Sequence, residues 1–296
     1  MRLAVAISRR RAFSLALFAS LVAVLASAST GWGSLLAPEA GGSPNADKIR
    51  TLWWLIFAVA LVVFIGVEGL LFYSLFKFRA RKGAVPAQIR GNTRLEIGWT
   101  VGAALILVVL GIFTFVLLPG IRNPPNSAAA GYKGGYVQIA DSVRRLPPNG
   151  KSLNICVTGQ QYIWRYTYAA NCGQNDFKSV FAYSTMYVPT DTTVTLDIFG
   201  QDVAHSWWIP QLGGKFDAIP GYTNHTWFKI PGKLAGHAFT GQCAELCGRN
   251  HANMTAKVVA LTPTQFEAWL QHQKAAIKAA DVLAQAQRKA LEKTTP

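Results

Sequence analysis

Acidic residues are scarce in this sequence: 14 Asp and Glu stand against 29 Lys and Arg, which gives a formal net charge of +15. The basic residues form no single stripe and no DNA-reading motif accompanies them, so nucleic acid is excluded as a partner. Cysteine is scarce too, and four residues in a chain of 296 cannot form the framework of a disulfide-rich domain. No Cys-x-x-Cys-His sequence is present, which excludes a covalently attached haem. Membrane topology is the simplest reason for the charge, because Lys and Arg flank apolar helices.

The first 28 residues are typical of a secretory signal. Three arginines at residues 9–11 precede a short apolar run over residues 12–24, and small residues at 26 and 28 suit cleavage. The run is too short to span a bilayer comfortably, although an uncleaved third helix is the alternative. Residues 29–50 are rich in Gly, Ser, Ala and Pro and are predicted to form an exported tether.

Residues 51–119 contain two apolar segments that are long enough to cross a bilayer. Residues 52–76 hold one charge, Glu68, and residues 97–118 hold none. Glu68 is costly in lipid, so it faces either a partner protein or the solvated interface. The connecting loop, residues 77–96, is strongly basic and is predicted to stay in the cytoplasm. We therefore expect a hairpin in a bacterial-type cell membrane, with the rest of the chain on the periplasmic or extracellular side.

Residues 120–262 show the pattern of an exported β domain. Short apolar stretches alternate with polar residues and are separated by Gly, Pro and Asn, and four aromatic residues alternate from Tyr162 to Tyr168. Several such strands predict a sandwich or barrel. Residues 263–296 are rich in Ala, Gln, Lys and Leu, and a Thr-Pro pair precedes this run, so a C-terminal helix follows the β domain.

One segment near the end of the β domain contains the strongest chemical signal. Cys243, Cys247, His251 and Met254 are separated by four, four and three residues. A blue-copper site uses two His, one Cys thiolate and a weak axial Met. This segment adds a second Cys, and two thiolates in one loop can bridge two copper ions. Each ion then needs one terminal His, and His205 supplies the second imidazole.

Two other interpretations explain these residues less well. A disulfide between Cys243 and Cys247 leaves His251 and Met254 unexplained, and Met is a poor zinc ligand. Thiolates and a thioether suit reduced copper, whereas imidazole suits both oxidation states. Sharing one electron over two ions also reduces the change of geometry on reduction, which favours fast transfer. The spacing therefore predicts a two-copper electron-transfer centre.

These motifs resemble those of cytochrome c oxidase subunit II. The copper segment matches the family's Cys-x-Glu-x-Cys-Gly-x-x-His-x-x-Met, and the residues from Asp202 match its Asp-Val-x-His-Ser-Trp. Three further segments are similar to a turn, an aromatic strand and the start of the second helix in the family: Lys215 to Gly221, Gly159 to Tyr166, and Leu95 to Thr100. The resemblance covers about residues 50–270.

The resemblance implies a cupredoxin barrel that holds a copper A centre of two copper ions. Two histidines would be terminal ligands, two cysteines would bridge the ions, and a methionine would bind one copper weakly. The backbone carbonyl of a glutamate would bind the other copper, and its side chain would bind magnesium shared with subunit I. The residues at these positions are His205, Cys243, Glu245, Cys247, His251 and Met254.

The resemblance also implies partners: oxidase subunits I and III, membrane lipid and a cytochrome c. Electrons would pass from cytochrome c through copper to haem in subunit I, where oxygen is reduced and protons are translocated. Tyr162 stands where the family usually has Trp, so electrons would enter at Tyr162 or at Trp164, and Glu96 would begin a proton path. The chain from residue 120 onward contains 17 Lys or Arg but only 10 Asp or Glu. Electrostatic attraction would therefore steer a basic, soluble cytochrome c only weakly, and this favours a cytochrome c that is tethered to the membrane.

Three related classes fit the sequence less well. A quinol oxidase subunit II shares the topology but lacks the copper ligands. A thioredoxin-type copper-delivery protein would not carry Met254, and a soluble copper-binding module would not need two membrane helices. Whether the remaining pair, Cys156 and Cys172, forms a disulfide is left open. Sixteen extended residues would span about 50 Å, so the bond requires a reversal of the chain between the two cysteines, for example at Gly159.

Overall fold

The structure, a computed structural model, describes residues 36–79, 83, 85, 87–134, 146–170, 172 and 179–294. The predicted signal peptide, residues 1–28, lies outside these residues. Three long helices are described: α1 Pro44–Lys77, α2 Thr93–Arg122 and α3 Pro263–Thr294. Ten strands are described: β1 Leu153–Gln160, β2 Ile163–Tyr168, β3 Val180–Tyr183, β4 Thr185–Pro189, β5 Thr193–Gly200, β6 His205–Trp208, β7 Phe216–Ala218, β8 Asn224–Lys229, β9 Ala238–Cys243 and β10 Thr255–Leu261.

The two apolar helices, α1 and α2, pack against each other and leave their most hydrophobic stretches unburied. A lipid bilayer or partner helices can solvate such a surface, whereas water cannot. Glu68 is half-buried and lines a groove of about 470 Å³ between the helices, together with Ile106 and Leu110. The expected pair of membrane-spanning helices is confirmed.

Both helices begin earlier than the hydrophobic runs indicate. α1 starts at Pro44, inside the segment predicted as a tether, because proline suits the first helical turn and Asp47 accepts a hydrogen bond from the Gly41 N–H at 2.7 Å. α2 starts at Thr93, inside the predicted loop 77–96, because Asn92 Oδ1 accepts the N–H of Leu95 at 3.2 Å and caps the helix. Polar contacts at the N-termini therefore accompany the extension of both helices beyond their apolar parts.

The outer ends of both helices are attached to β8. Asn45 Nδ2 donates to the carbonyl of Trp227 at 2.8 Å, and Lys229 N donates to Ser43 Oγ at 3.0 Å. The indole Nε1 of Trp227 donates to the carbonyl of Ile121 at 3.0 Å. Ser43 and Asn45 are buried, so the start of α1 is part of the β domain's packing and not a free tether.

The β domain is a sandwich of two five-stranded sheets, ordered β3-β2-β1-β5-β8 and β4-β10-β9-β6-β7. The core lies between the sheets and takes alternate side chains of each strand, as the pleat requires. In β2 these are Trp164, Tyr166 and Tyr168, which are all fully buried. The sequence predicted a sandwich or barrel, and the structure has the sandwich arrangement, so the prediction of an all-β domain after a helical hairpin is confirmed.

The C-terminal helix α3 packs its first turns on the core. Thr262 Oγ1 accepts the N–H of Gln265 at 3.3 Å, while Gln265 Oε1 accepts the N–H of Thr262 at 3.1 Å, a reciprocal capping box. Phe266 is buried, and the ring of Trp269 stacks on Tyr187 with centroids 4.8 Å apart. The predicted helix and its cap are confirmed, and its first half packs on the sandwich.

Cys156 and Cys172 form a disulfide, with Cα atoms 5.5 Å apart. The two cysteines would lie too far apart for this bond only if the chain between them were extended throughout. β1 and β2 instead form an antiparallel hairpin that turns at Gln161 and Tyr162, two residues beyond Gly159. Cys156 pairs with Thr167 in that hairpin, so the chain has already returned when it reaches Cys172.

Candidate metal centre

Three segments from the second sheet bring the predicted ligands together. His205 begins β6, Cys243 ends β9, and β6 pairs with β9 through Trp207 and Cys243. Cys247 lies in the following loop, His251 opens a short 3₁₀ turn, and Met254 directly precedes β10. Hydrogen bonds hold both ends of the loop, since Cys243 N donates to the Met254 carbonyl at 2.9 Å and Ala244 N donates to the Ser206 carbonyl at 2.8 Å.

The side chains of this loop converge on two sulfur atoms. The Sγ atoms of Cys243 and Cys247 lie 3.9 Å apart, and both cysteines are free and buried. His205 Nδ1 lies 4.0 Å from Cys243 Sγ. On the other side, His251 Nδ1 lies 3.6 Å and Met254 Sδ 3.9 Å from Cys247 Sγ.

Glu245 contributes its backbone to this cluster. Its carbonyl oxygen lies 3.2 Å from Cys243 Sγ, whereas its side chain is exposed to solvent. All six residues singled out from the sequence therefore meet in one place: His205, Cys243, Glu245, Cys247, His251 and Met254.

The donor set fits soft metal ions that share the two sulfurs. A metal–thiolate bond is about 2.3 Å for zinc, so two sulfurs 3.9 Å apart are closer than two such bonds laid end to end. One ion can therefore touch both sulfurs. The set contains two thiols, two imidazoles, a thioether and a carbonyl, a combination that suits copper better than zinc or magnesium.

Asp202 fixes the orientation of His205. Its Oδ1 lies 2.8 Å from His205 Nε2, and its Oδ2 accepts the N–H of Gln161 at 2.7 Å. Because Nε2–H is donated to the carboxylate, Nδ1 is the nitrogen that faces the Cys243 sulfur, and it can bind a metal ion once it carries no proton. Burial raises the pKa of Asp202, but the hydrogen bonds from Gln161 and His205 outweigh it and the pKa falls below its usual value. Burial lowers the pKa of His205, and the contacts with Cys243 and Asp202 reverse this and raise it.

The two cysteines differ in acidity. Burial raises the pKa of the Cys243 thiol, but hydrogen bonds from His205 and the neighbouring backbone outweigh it and lower the pKa to about 6. Burial and the negative charge on Cys243 raise the pKa of Cys247 to about 11. These pKa shifts favour one thiolate and one thiol near neutral pH, and a metal ion held by both cysteines would displace the remaining proton.

Two residues that were not assigned a role from the sequence, Gln161 and Gly159, support the ligand cluster. Gln161 Nε2 donates to the carbonyl of Cys247 at 2.7 Å across 86 positions of sequence. Gly159 lies under the imidazole of His205, where an added Cβ would be 3.0 Å from His205 Cδ2 and 3.0 Å from a ring carbon of Trp164. The Asp-Val-x-His motif could have identified Asp202 as the residue that orients His205, whereas no local sequence pattern marks Gln161 as a support.

The two aromatic residues proposed for electron acceptance lie in different environments. Trp164 is fully buried, and its ring meets His205 edge-on with centroids 5.9 Å apart. An external protein cannot touch this buried ring, so Trp164 cannot contact an electron donor directly. Tyr162 lies in the half-exposed turn before β2, and its hydroxyl is beside Gly248 in the loop from Cys243 to Met254. This loop is named the copper loop because its donor set suits copper.

Glu96 is remote from this cluster. It lies in the first turn of α2, and the β domain follows the other end of this 30-residue helix. At 1.5 Å per residue the helix is about 45 Å long. Glu96 Oε1 accepts the N–H of Asn92 at 3.3 Å, so its structural contact is with the start of its own helix.

Two family models match the chain. "Cytochrome C oxidase subunit II, transmembrane domain" matches residues 30–117, and "Cytochrome C oxidase subunit II, periplasmic domain" matches residues 171–261. The chain is similar to cytochrome c oxidase subunit 2 of Alkalihalophilus pseudofirmus, with 33% identity over 239 residues, 79% of this chain and 61% of the relative. It is 30% identical over 300 residues to cytochrome c oxidase subunit 2 of Thermostichus vulcanus, covering 90% of this chain and 87% of the relative.

Among solved structures, the chain is similar to the periplasmic domain of subunit II of cytochrome oxidase from Bradyrhizobium japonicum. The identity is 31%, and the match covers 42% of this chain and 95% of that domain, with a TM-score of 0.37.

Proposed function

The chain belongs to the cytochrome c oxidase subunit II family, and on that premise we propose that its β domain accepts electrons from a cytochrome c at a two-copper centre. The electrons pass to haem in subunit I, where oxygen is reduced to water and protons are translocated. The observation that carries the proposal is the 3.9 Å separation of two free, buried sulfurs with an imidazole beside each. Copper bound there would supply one-electron redox chemistry.

The protein contributes a stiff and dry ligand frame. His205 is fully buried and held by Asp202, and the loop carrying both cysteines is tied to β6 by the Ala244–Ser206 hydrogen bond. Gln161 ties the loop to the β1–β2 turn. A frame that moves little on a change of charge keeps the reorganisation cost of electron transfer small.

We propose that electrons enter at Tyr162. The residue is the aromatic ring of the β1–β2 turn, its neighbour Gln161 bonds the copper loop, and its hydroxyl lies beside Gly248. The donor is a cytochrome c, and few carboxylates are available in this domain to steer a basic one. A membrane-tethered cytochrome c fits this charge balance, because tethering raises the local concentration without electrostatic attraction.

The membrane assignment completes the proposal. The hairpin lies in a bacterial-type cell membrane beside subunits I and III, and the β domain is on the periplasmic or extracellular side. The exposed side chain of Glu245 is available for a magnesium ion at the boundary with subunit I, and Glu96 at the start of α2 begins a proton path into subunit I.

Low-temperature electron paramagnetic resonance of the copper-loaded full chain in detergent tests the centre. We expect two coppers per chain and one unpaired electron with hyperfine splitting from both. Cys247→Ser should abolish this signal, whereas Cys156→Ser, outside the cluster, should retain it. A single-copper spectrum, or tight zinc binding without copper, contradicts the proposal.

A further inference from the structure

A second cysteine site lies on the outer face of the first sheet, away from the copper loop. The sheet register puts four side chains in one row across neighbouring strands: Thr167 on β2, Cys156 on β1, Asp197 on β5 and His225 on β8. Adjacent strands are about 4.8 Å apart. The chain after β2 then brings Cys172 over this row, where it is bonded to Cys156.

The carboxylate of Asp197 connects the disulfide to the imidazole. Asp197 is fully buried, and its Oδ1 lies 2.7 Å from His225 Nδ1. Its Oδ2 accepts a hydrogen bond from Asn154 Nδ2 at 3.0 Å and lies 3.2 Å from Cys172 Sγ. A disulfide sulfur carries no hydrogen, so this sulfur–oxygen contact becomes a hydrogen bond only when Cys172 is a thiol.

The two sulfurs differ in access. Cys156 is 3% exposed in the middle of the sheet, whereas Cys172 is half-buried and lines a cavity of about 150 Å³ with Phe199, Tyr222 and Thr223. A nucleophile can therefore reach Cys172 and not Cys156. His225, at the outer edge of the row, has 14% of its side chain exposed, which connects the buried carboxylate to solvent.

We propose that Cys156–Cys172 is a thiol–disulfide exchange site for a protein dithiol of the thioredoxin class, with Asp197 and His225 as its proton relay. The dithiol's thiolate attacks Cys172 Sγ, the Cys156–Cys172 bond breaks, and Cys156 leaves as a thiolate. The proton lost by the dithiol passes through His225 and Asp197 to Cys156, whose sulfur lies within 4.8 Å of the carboxylate. The dithiol's second thiol then attacks the mixed disulfide, Cys172 leaves and takes up that thiol's proton, and the two-electron exchange is complete.

This row differs from what a purely structural disulfide requires. A structural disulfide does not need a carboxylate beside it, and a buried carboxylate is a desolvated charge that has to be balanced. Here the balancing groups include the imidazole of His225, which reaches solvent, and the side-chain amide of Asn154. The leaving thiolate would otherwise be a second buried charge beside Asp197, so proton delivery decides the exchange rate.

The test follows the reduction of the oxidised full chain in detergent by reduced thioredoxin. Samples are quenched in acid and alkylated, and peptide mass spectrometry quantifies Cys156 and Cys172 separately from the copper-loop cysteines. Loss of the proton relay in Asp197→Asn should slow reduction on the order of 10²-fold, and His225→Gln roughly tenfold. Ser152→Ala is the matched control, since it removes the buried Ser152–Thr195 hydrogen bond at the far end of the same polar network.

The Cys156–Cys172 disulfide of the Ser152→Ala control should be reduced at the wild-type rate. The wild-type rate should rise in proportion to the thioredoxin concentration. Equal rates in wild type, Asp197→Asn and His225→Gln would overturn the proposal. A rate independent of thioredoxin concentration would also overturn it, because reduction would then wait for the domain to open. His225→Gln leaves the buried carboxylate in place, so it keeps the test decisive if Asp197→Asn does not fold.

Discussion

Replacing Asp202 with alanine removes the group that orients His205 for copper. The carboxylate lies 2.8 Å from His205 Nε2 and also accepts the N–H groups of Gln161 and Val203, each at 2.7 Å. Without it, Nε2–H has no fixed acceptor and the ring can place either nitrogen toward Cys243. The copper-competent tautomer then becomes one of several states and not the only one.

The size of the effect follows from these contacts. Outer-shell partners of metal-binding histidines contribute about 10–100-fold in affinity, which corresponds to about 1.4–2.7 kcal/mol. The side chain of Asp202 is 34% exposed, so water can replace part of its bonding to the two N–H groups. We therefore expect the free energy of unfolding to fall by only about 1 kcal/mol, while copper affinity falls by more.

The assay is copper affinity by competition with a chelator, alongside urea unfolding of the metal-free chain. Asp217→Ala is the matched control: it removes one exposed carboxylate from β7, the strand beside β6, and Asp217 is not among the copper-loop contacts. Asp202→Asn, which keeps an acceptor oxygen but no charge, should fall between wild type and Asp202→Ala. Wild-type affinity in Asp202→Ala, or a loss no larger than in Asp217→Ala, would refute the reasoning.

Three further outcomes are expected. Met254→Leu conserves volume, so it should destabilise by less than about 1.5 kcal/mol and keep copper but shift the reduction potential in voltammetry; an unchanged potential contradicts axial ligation. Glu96→Ala should slow oxidase turnover with an unaltered copper spectrum, and unchanged turnover argues against a proton role. Burial raises the pKa of Tyr168 well above its usual value. The neutral hydroxyl therefore makes its full contribution to the free energy of unfolding below about pH 10, and this contribution is lost as the pH rises further. Tyr168→Phe leaves the Tyr187 N–H and C=O, each 2.8 Å from the hydroxyl, unpaired, and urea unfolding should show a loss of about 1–3 kcal/mol at pH 7 and a weaker decline in alkali.

The copper loop was the most predictable part of the molecule. Cys243, Cys247, His251 and Met254 lie within 12 consecutive residues, so their proximity follows from chain connectivity alone. The helices were predictable in kind because long apolar runs have few other stable arrangements. Their starts were not, since Asn92 and Ser43 act through polar contacts that hydropathy does not register.

The features that could not be predicted from the sequence depend on contacts between residues that are distant along the chain. Gln161 and Cys247 are brought together by the packing of two sheets, and nothing local marks the amide as a support. The Cys156–Cys172 bond depended on where the β1–β2 hairpin turns, and moving a turn changes every cross-strand partner. The burial of Trp164 likewise became evident only when the second sheet covered that face of β2.

The attachment of both helices to Trp227 and its neighbours has a consequence for electron tunnelling. Tunnelling rates fall steeply with the gap between donor and acceptor, so a domain swinging on a loose linker would spend most of its time out of range of subunit I. Asn45 and Ile121 instead fasten the two helix ends to one strand of the sandwich. In the proposed oxidase, these attachments would hold the cluster of sulfur and imidazole ligands at a fixed height above the bilayer, and the gap to subunit I would stay the same from one turnover to the next.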